Sequence, residues 1–180
     1  MKRKSFGVVL AALTLGAGFG VRSASAQNNK PAYRVGVFDS RVVALAYYRS
    51  SEFTGMIKGM RDDLARAQAA KDEKRAKELG QEGEWSQIRA HQQVFSTGPV
   101  ASILGKVKDK LPAIARDAGV ALIVSKWEVQ FLDPAATTVD VTLPLVKLFN
   151  PNDQEAVKWV EEMKRQDPVP FEQLSLDPRM

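Results

Sequence analysis

The stretch Ile114–Val124, with the sequence IARDAGVALIV, decides the fold because it leads from a helix into a buried strand. Gly119 is a typical helix stop, since glycine enters the left-handed conformation at little cost. The five apolar residues at 120–124 form an unbroken run. Such a run, bounded by a helix and a turn, is typical of a strand buried on both faces.

A second junction between a strand and a helix lies near the other end of the chain. Residues 33–38 alternate and predict a strand with one buried face. Asp39 and Ser40 follow, and their side-chain oxygens can accept hydrogen bonds from the free N–H groups of a helix start. We therefore expect a short apolar helix over 42–48, and Ser50 offers a second cap just after it.

The first 26 residues are predicted to be a cleaved signal peptide. Basic residues at 2–4 precede an apolar run over 6–21, and Ala24 and Ala26 form a small-residue cleavage site before Gln27. The apolar run is about 16 residues long, shorter than the roughly 20 that span a bilayer. We expect export to the periplasm, with a polar linker over 27–32 and no integral membrane segment.

Charge and residue types exclude several classes of function. The net charge is +5, and signal cleavage would remove four basic residues and no acid, leaving about +1. Nucleic-acid binding is therefore not expected, whereas contact with a membrane surface stays open. Because cysteine is absent and His91 is the single histidine, thiol chemistry and sites with several histidine ligands are excluded. We predict no catalytic, cofactor-binding or metal-binding residues and no enzyme.

The middle of the chain, 53–117, is predicted to form a long, coiled-coil-like helical hairpin. Its apolar residues recur every three or four positions among mixed charges, as on a solvated helix that meets a partner along a narrow seam. Gly80 and Gly83 predict the hairpin tip at 80–83, and Gly98-Pro99 predicts a break in the return arm. The return arm has one apolar face, formed by Trp85, Ile88, Gln92 and Phe95.

The remainder of the chain predicts a third strand and two helices. Residues 127–131 alternate and are expected to pair with the buried strand after a turn at Ser125-Lys126. A helix is expected over 139–149, capped by Asp140 or Thr142, and an amphipathic helix over 153–165. The expected fold class is α+β, a small sheet body with a helical hairpin inserted between its first and second strands, plus C-terminal helices.

Three segments flank the predicted hairpin: 34–40 (RVGVFDS) before it, and 114–124 and 139–142 (VDVT) after it. In this order they resemble the Skp/OmpH-like family of periplasmic chaperones. The resemblance spans residues 33–149, with a body of 33–52 and 118–149, an arm of 53–117, and a further helix and tail over 150–180. It implies a homotrimer whose strands form a shared body and whose hairpins enclose a cavity for unfolded outer-membrane proteins.

The expected function is that of an ATP-independent holdase that binds unfolded outer-membrane or envelope proteins. The alternative is an exported interaction module that binds one specific envelope partner through its arm or its C-terminal helix. Three strands are too few to close a core, so self-association is expected to complete the body. The residues predicted for this assembly body are Val35, Val37, Leu122, Val124, Trp127, Val129 and Phe131.

The arm carries the candidate client-facing residues. Methionine suits this role because its flexible side chain packs against many shapes. The alternative is a plain hairpin seam, in which the apolar residues of the first arm pack against Trp85, Ile88 and Phe95. The candidate client-facing residues are Met56, Ile57, Met60, Leu64, Trp85 and Ile88.

Overall fold

A parallel sheet of three strands organises this computed structural model, which describes residues 33–149 and 152–174. The strands are β1 (Arg34–Phe38), β2 (Leu122–Ser125) and β3 (Thr137–Asp140). The order is β2-β1-β3, and both neighbours run parallel to β1. In this register Val35 lies beside Leu122 on one side and beside Thr138 on the other.

Seven helices accompany the sheet within the described residues. Along the chain, the first five lie between β1 and β2, and the last two follow β3, so the fold class is α+β. The helices are α1 (Ser40–Tyr48), α2 (Ser51–Ala69), α3 (Glu73–Phe95), α4 (Ala101–Gly105), α5 (Leu111–Ala118), α6 (Thr142–Lys147) and α7 (Asp153–Lys164). Short 3-10 turns cover Lys108–Lys110 and Phe171–Gln173.

Several helix boundaries lie where local sequence chemistry predicts them. The Asp39 side chain accepts a hydrogen bond from the backbone N–H of Arg41 at the start of α1. Ser50 Oγ accepts one from the backbone N–H of Phe53 at 3.2 Å at the start of α2. Gly119 ends α5 in the left-handed conformation, with φ of 62°. These caps satisfy backbone groups that a helix end leaves free.

The hydrophobic core lies on one face of the sheet. Phe38 is 3% exposed, and Ile123 and Val139 pack against the same cluster from the flanking strands. The helices that cover this face contribute residues with 0% exposure, among them Val43 of α1 and Leu145 of α6. The apolar faces of the helices thus pack on one side of the sheet. The residues of the core cluster do not cover the other side.

The turn between α2 and α3 lies at residues 70–72, so the predicted tip at Gly80 and Gly83 is wrong. Lys71 adopts a positive φ of 55°, and the Asp72 side chain caps α3 by accepting a backbone hydrogen bond. Both glycines lie inside α3. A strong N-cap at position 72 starts the helix ahead of them, and the cost of helical glycine, about 1 kcal/mol each, is tolerated.

The predicted strand over 127–131 is wrong, because these residues form turns and irregular backbone. The third strand is β3 instead, so the predicted helix start at Val139 is also wrong and α6 begins at Thr142. Alternation of residue types does not specify which segment pairs with β1. Trp127 and Val129 are nevertheless partly buried, whereas Phe131 is 80% exposed.

The return from α3 to the sheet is broken twice. The predicted interruption at Gly98-Pro99 is present, since α3 ends at Phe95 and α4 begins at Ala101. A second break precedes Pro112, which lies in the first turn of a separate helix, α5. Proline costs no helical hydrogen bond in a first turn, where its missing N–H would be free anyway.

The predicted signal peptide, its cleavage site at Ala24, Ala26 and Gln27, and the linker over 27–32 lie outside the described residues. Within the described residues, none of the helices combines the length and the apolar character needed to cross a membrane.

Candidate functional site

An apolar groove of about 420 Å³ runs between α2 and α3. The wall from α2 carries Phe53, Ile57, Met60 and Leu64. The wall from α3 carries the small residues Gly80, Gly83, Ser86 and Ala90, together with Leu79, Glu84 and Gln87. At Gly83 an added Cβ would find Met60 Sδ 3.9 Å away, an ordinary contact distance. The helices therefore face each other across a gap that short side chains on α3 leave open.

The structure brings three of the six candidate client-facing residues together on this groove: Ile57, Met60 and Leu64. Met56 is 44% exposed and lies outside the groove, near α1 and α4. Trp85 is 64% exposed, and neither it nor Ile88 lines the groove. The predicted seam is therefore wrong at Trp85 and Ile88, whereas Leu79, which is 4% exposed, is a large apolar residue of α3 that does line the groove.

The error in the seam has a simple cause. The stripe with Trp85 and Phe95 is the most apolar face of α3, and sequence reasoning assigned the most apolar face to the partner helix. Phe95 is instead 50% exposed. The face toward α2 could have been found from the two glycines, because small residues mark close approach or a groove between helices.

The base of these helices is held by an aromatic cluster and polar bridges. The rings of Tyr48 and Phe53 lie 4.7 Å apart, edge to face. Tyr48 Oη donates a hydrogen bond to Gln93 Oε1 at 2.6 Å, which ties α1 to α3. Burial raises the pKa of Tyr48 to about 12. Lys106 Nζ lies 2.8 Å from Glu52 Oε1 and ties α4 to α2. These contacts thus hold α2 and α3 in place at the end of the groove nearest to α1 and α4.

Four predicted body residues share one face of the sheet. Val35 lies beside Leu122, and Val37 lies beside Val124, so all four side chains point to the same side. This side is opposite to the core, and Leu122 is 55% exposed. Parallel sheets are normally buried on both faces. Trp127, Val129 and Phe131 follow β2 and lie outside the strands.

A buried ion network at the carboxyl end of β1 was not anticipated from the sequence. Asp39 is 4% exposed. Asp39 Oδ2 accepts from Arg41 Nη2 at 2.8 Å and from Lys126 Nζ at 2.9 Å. Asp39 Oδ1 accepts from Arg41 Nε at 3.1 Å and from Trp127 Nε1 at 3.3 Å. Burial alone would raise the pKa of Asp39, but the hydrogen bonds and charges of Arg41 and Lys126 lower it below its usual value.

Arg41 also holds the last long helix. Its Nη1 donates to the carbonyl oxygen of Gln166 at 2.8 Å, and its Nη2 donates to that of Met163 at 3.1 Å. Met163 lies in the last turn of α7 and Gln166 lies two residues beyond the helix, so Arg41 binds α7 at its C-terminal end, where a positive charge is favoured. Sequence reasoning treated Asp39 as a helix cap only. An Asp-x-Arg sequence directly after an apolar strand was the available signal for a buried ion pair.

Comparison of the chain with protein-family models, with curated proteins and with solved structures found no match.

Proposed function

We propose that this protein is a periplasmic, ATP-independent holdase that binds unfolded outer-membrane or envelope proteins. The observation that carries the proposal is the apolar groove of about 420 Å³ between α2 and α3. An unfolded chain offers isolated apolar side chains of varied shape. Met60 and Leu64 on the wall suit such ligands because flexible, unbranched or γ-branched side chains adapt to many partners.

The two helices would act together as one arm inserted between β1 and β2. α2 has 19 residues and α3 has 23, so the arm is about 30 Å long at a rise of 1.5 Å per residue. Charged residues of both signs line its outer faces, with pairs such as Arg75 and Glu78 at 3.4 Å. Such a surface keeps the arm hydrated and gives weak attraction to clients of either charge.

A homotrimer is the assembly we propose for the body. Val35, Val37, Leu122 and Val124 form an apolar patch on the sheet face opposite to the core, and Thr138 and Asp140 of β3 lie beside this patch on the same face. Covering it with the same face of other copies would give the parallel sheet its second buried side. Three arms around one body would then enclose a space in which clients are held apart.

A second candidate function is the binding of one folded envelope partner. It is favoured by apolar surface outside the groove, because Trp85 is 64% exposed and Phe95 is 50% exposed. The backbone N–H of Val169 donates to the carbonyl of Phe95 at 2.8 Å, which brings the C-terminal segment beside this surface. Exposed tryptophan is a common anchor in specific interfaces.

The first test is the mass of the exported protein by light scattering on a sizing column. A mass near three chains supports the proposed body. A single chain leaves no enclosed space for a client, and the holdase assignment would then be withdrawn in favour of the interaction module.

The second test is suppression of aggregation of an unfolded β-barrel protein by the wild type and two variants. Met60→Glu places a charge in the groove, and Met56→Glu places the same charge outside it. We expect Met60→Glu to weaken holding roughly tenfold, about 1.4 kcal/mol, and Met56→Glu to have little effect. Equal effects of the two variants would argue against the groove. Loss of holding by a third variant, Trp85→Ala, would instead place client binding on the exposed face of α3, outside the groove.

A further inference from the structure

The carboxyl ends of the strands border a second cavity, of about 110 Å³. Val37 and Asp39 form its wall at the end of β1, and Asp140 forms it at the end of β3. Lys126, just after β2, and Lys164, at the end of α7, complete the rim. The cavity is distinct from the groove between α2 and α3, with which it shares no residue.

The topology places this cavity where parallel sheets bind ligands. Along the chain, β1 is followed by β2 on one side, and β2 is followed by β3 on the other side. The order therefore reverses between β1 and β3, and crevices at such points, outside the carboxyl ends of the strands, are the usual ligand sites of open parallel sheets. Asp39 directly follows β1 and Asp140 is the last residue of β3, and these two strands flank this point.

The hydrogen bonds at the rim leave N–H donors, rather than oxygen acceptors, available to a ligand. Both oxygens of Asp39 are occupied, by Arg41, Lys126 and Trp127. Two cations therefore share this buried carboxylate. The other rim lysine, Lys164, lies beside two further carboxylates, so the charges around the cavity balance. Lys126 is 37% exposed, and its ammonium has three N–H groups, of which Asp39 Oδ2 needs one.

The second ammonium at the rim, that of Lys164, has two acidic neighbours and three N–H groups, so it too keeps a donor for a ligand. Lys164 Nζ lies 3.7 Å from Asp140 Oδ2 and 3.3 Å from Glu161 Oε1, and its side chain is 48% exposed. Asp140 Oδ1 is engaged with the backbone N–H of Thr142 at 2.9 Å. Excess donors with engaged acceptors favour an anion over a cation.

The inner wall of this cavity is apolar, and this limits the kinds of anion that can bind there. Val42 of α1 and Val160 of α7 are 1% and 5% exposed, and both line the cavity together with Phe38. Phosphate would place polar oxygens against these side chains without hydrogen bonds, at a cost in free energy. A carboxylate with a short hydrocarbon tail can instead put its charge at the rim and its tail against the valines.

We propose that this cavity binds a small aliphatic monocarboxylate, with the carboxylate at Lys126 and Lys164 and the hydrocarbon tail against Val42 and Val160. The inference goes beyond the holdase function and does not depend on it. The small volume excludes a long chain from the cavity. Binding would also add contacts between the end of the sheet and α7, so the ligand would stabilise the folded body.

The experiment is an NMR titration of the exported protein with sodium butyrate at constant ionic strength. The reporter is the indole N–H of Trp127, which touches Asp39 and lies under Lys126, whose Nζ is 4.3 Å from the ring centroid. We expect a saturable shift with a Kd of about 1 mM, in the range of a small ligand with one charged head. Butylammonium and phosphate should give no saturable shift at the same concentrations.

Two variants of α7 provide the matched comparison. Lys164→Gln removes a rim ammonium, whereas Lys158→Gln removes a 69% exposed lysine of the same helix that lies outside the cavity. We expect Lys164→Gln to raise the butyrate Kd about tenfold and Lys158→Gln to leave it unchanged. Absence of saturation in the wild type, equal binding of phosphate, or equal effects of the two variants would each overturn the proposal.

Discussion

The indole nitrogen of Trp127 donates a hydrogen bond to Asp39 Oδ1 at 3.3 Å, between residues 88 positions apart in the sequence. This contact ties the loop after β2 to the end of β1. The same indole ring lies 5.1 Å from the guanidinium carbon of Arg41, so the tryptophan covers the ion pair on one side. An aromatic residue predicted for a strand thus shields a buried charge instead.

The buried ion pair predicts a large effect of removing Arg41. Arg41→Met would leave the Asp39 carboxylate buried with fewer partners and the end of α7 without its donor, so we expect a loss of about 3 to 5 kcal/mol in the free energy of unfolding. Urea unfolding followed by circular dichroism measures it. Arg66→Met, which removes an exposed pair with Asp63, is the control and should change little. Similar losses in both variants would contradict the role given to the network.

The lowered pKa of Asp39 predicts the direction of acid sensitivity. A carboxyl whose folded pKa lies below its ordinary value of 3.8 stabilises the fold above that pH, and the contribution is lost as the pH falls through the folded pKa. Lys126→Met removes one of the charges that lower the pKa of Asp39. The contribution of Asp39 to stability should therefore be lost at a higher pH in this variant than in the wild type. Urea unfolding between neutral pH and pH of about 2 tests this, with the exposed Lys158→Met as control. An unchanged acid profile in Lys126→Met would refute it.

Two glycines predict opposite effects of the same substitution. A Cβ at Gly98 would lie 2.8 Å from the carbonyl oxygen of Gln92, a backbone atom that cannot easily move. Gly98→Ala should therefore destabilise the protein by about 1 to 3 kcal/mol. Gly59, inside α2, has no atom within 4 Å of its added Cβ, so Gly59→Ala should stabilise by about 0.5 to 1 kcal/mol. Thermal unfolding compares them, and a shift of the same sign in both would be inconsistent with this packing.

A variant that fills the groove should hold clients less well without losing thermal stability. Gly83→Leu would place a side chain into the space beside Met60 while improving helix propensity in α3. We expect unchanged or raised thermal stability together with weaker suppression of client aggregation. Gly59→Leu adds the same side chain to α2 where the surroundings are open, and should retain activity. Full holding by a stable Gly83→Leu variant would show that clients bind elsewhere.

A substitution on the sheet face opposite to the core should disrupt the proposed assembly. Leu122→Lys puts a charge on that face at a position of β2 that is 55% exposed, and we expect it to lower the solution mass from three chains to one. Phe131→Lys makes the same change at an 80% exposed position outside the strands. Its effect on mass measures what the loop after β2 adds to the assembly. A trimer that persists in Leu122→Lys would place the interface away from the sheet.

The elements that sequence analysis predicted correctly depend on local chemistry. Asp39 and Ser50 cap helices through neighbours two or three residues away, and Gly119 ends a helix through its own backbone conformation. The shared face of Val35 and Val37 follows from the two-residue period of a strand. Each of these can be deduced from a window of a few residues.

Several of the errors concern contacts between distant segments, whereas the misplaced hairpin tip reflects local capping at Asp72. Residues 127–131 and 137–140 are both plausible strands by composition, and only pairing with β1 selects the second. The face of α3 that meets α2 is set by helix packing, which placed Gly83 rather than Trp85 opposite Met60. The partners of Asp39 come from positions 41, 126 and 127, and a single sequence does not reveal such long-range pairs.

The span of the Arg41 contacts has a consequence for how the chain folds while it is being synthesised. The carbonyl of Gln166 lies 125 residues beyond Arg41, so the buried guanidinium lacks this partner until that later segment has been made. The pairing of α2 with α3 needs only the segment up to Phe95. Local contacts form faster than distant ones. The packing of α2 against α3 can therefore form while later residues are still being added. The contact between Arg41 and Gln166 forms afterwards.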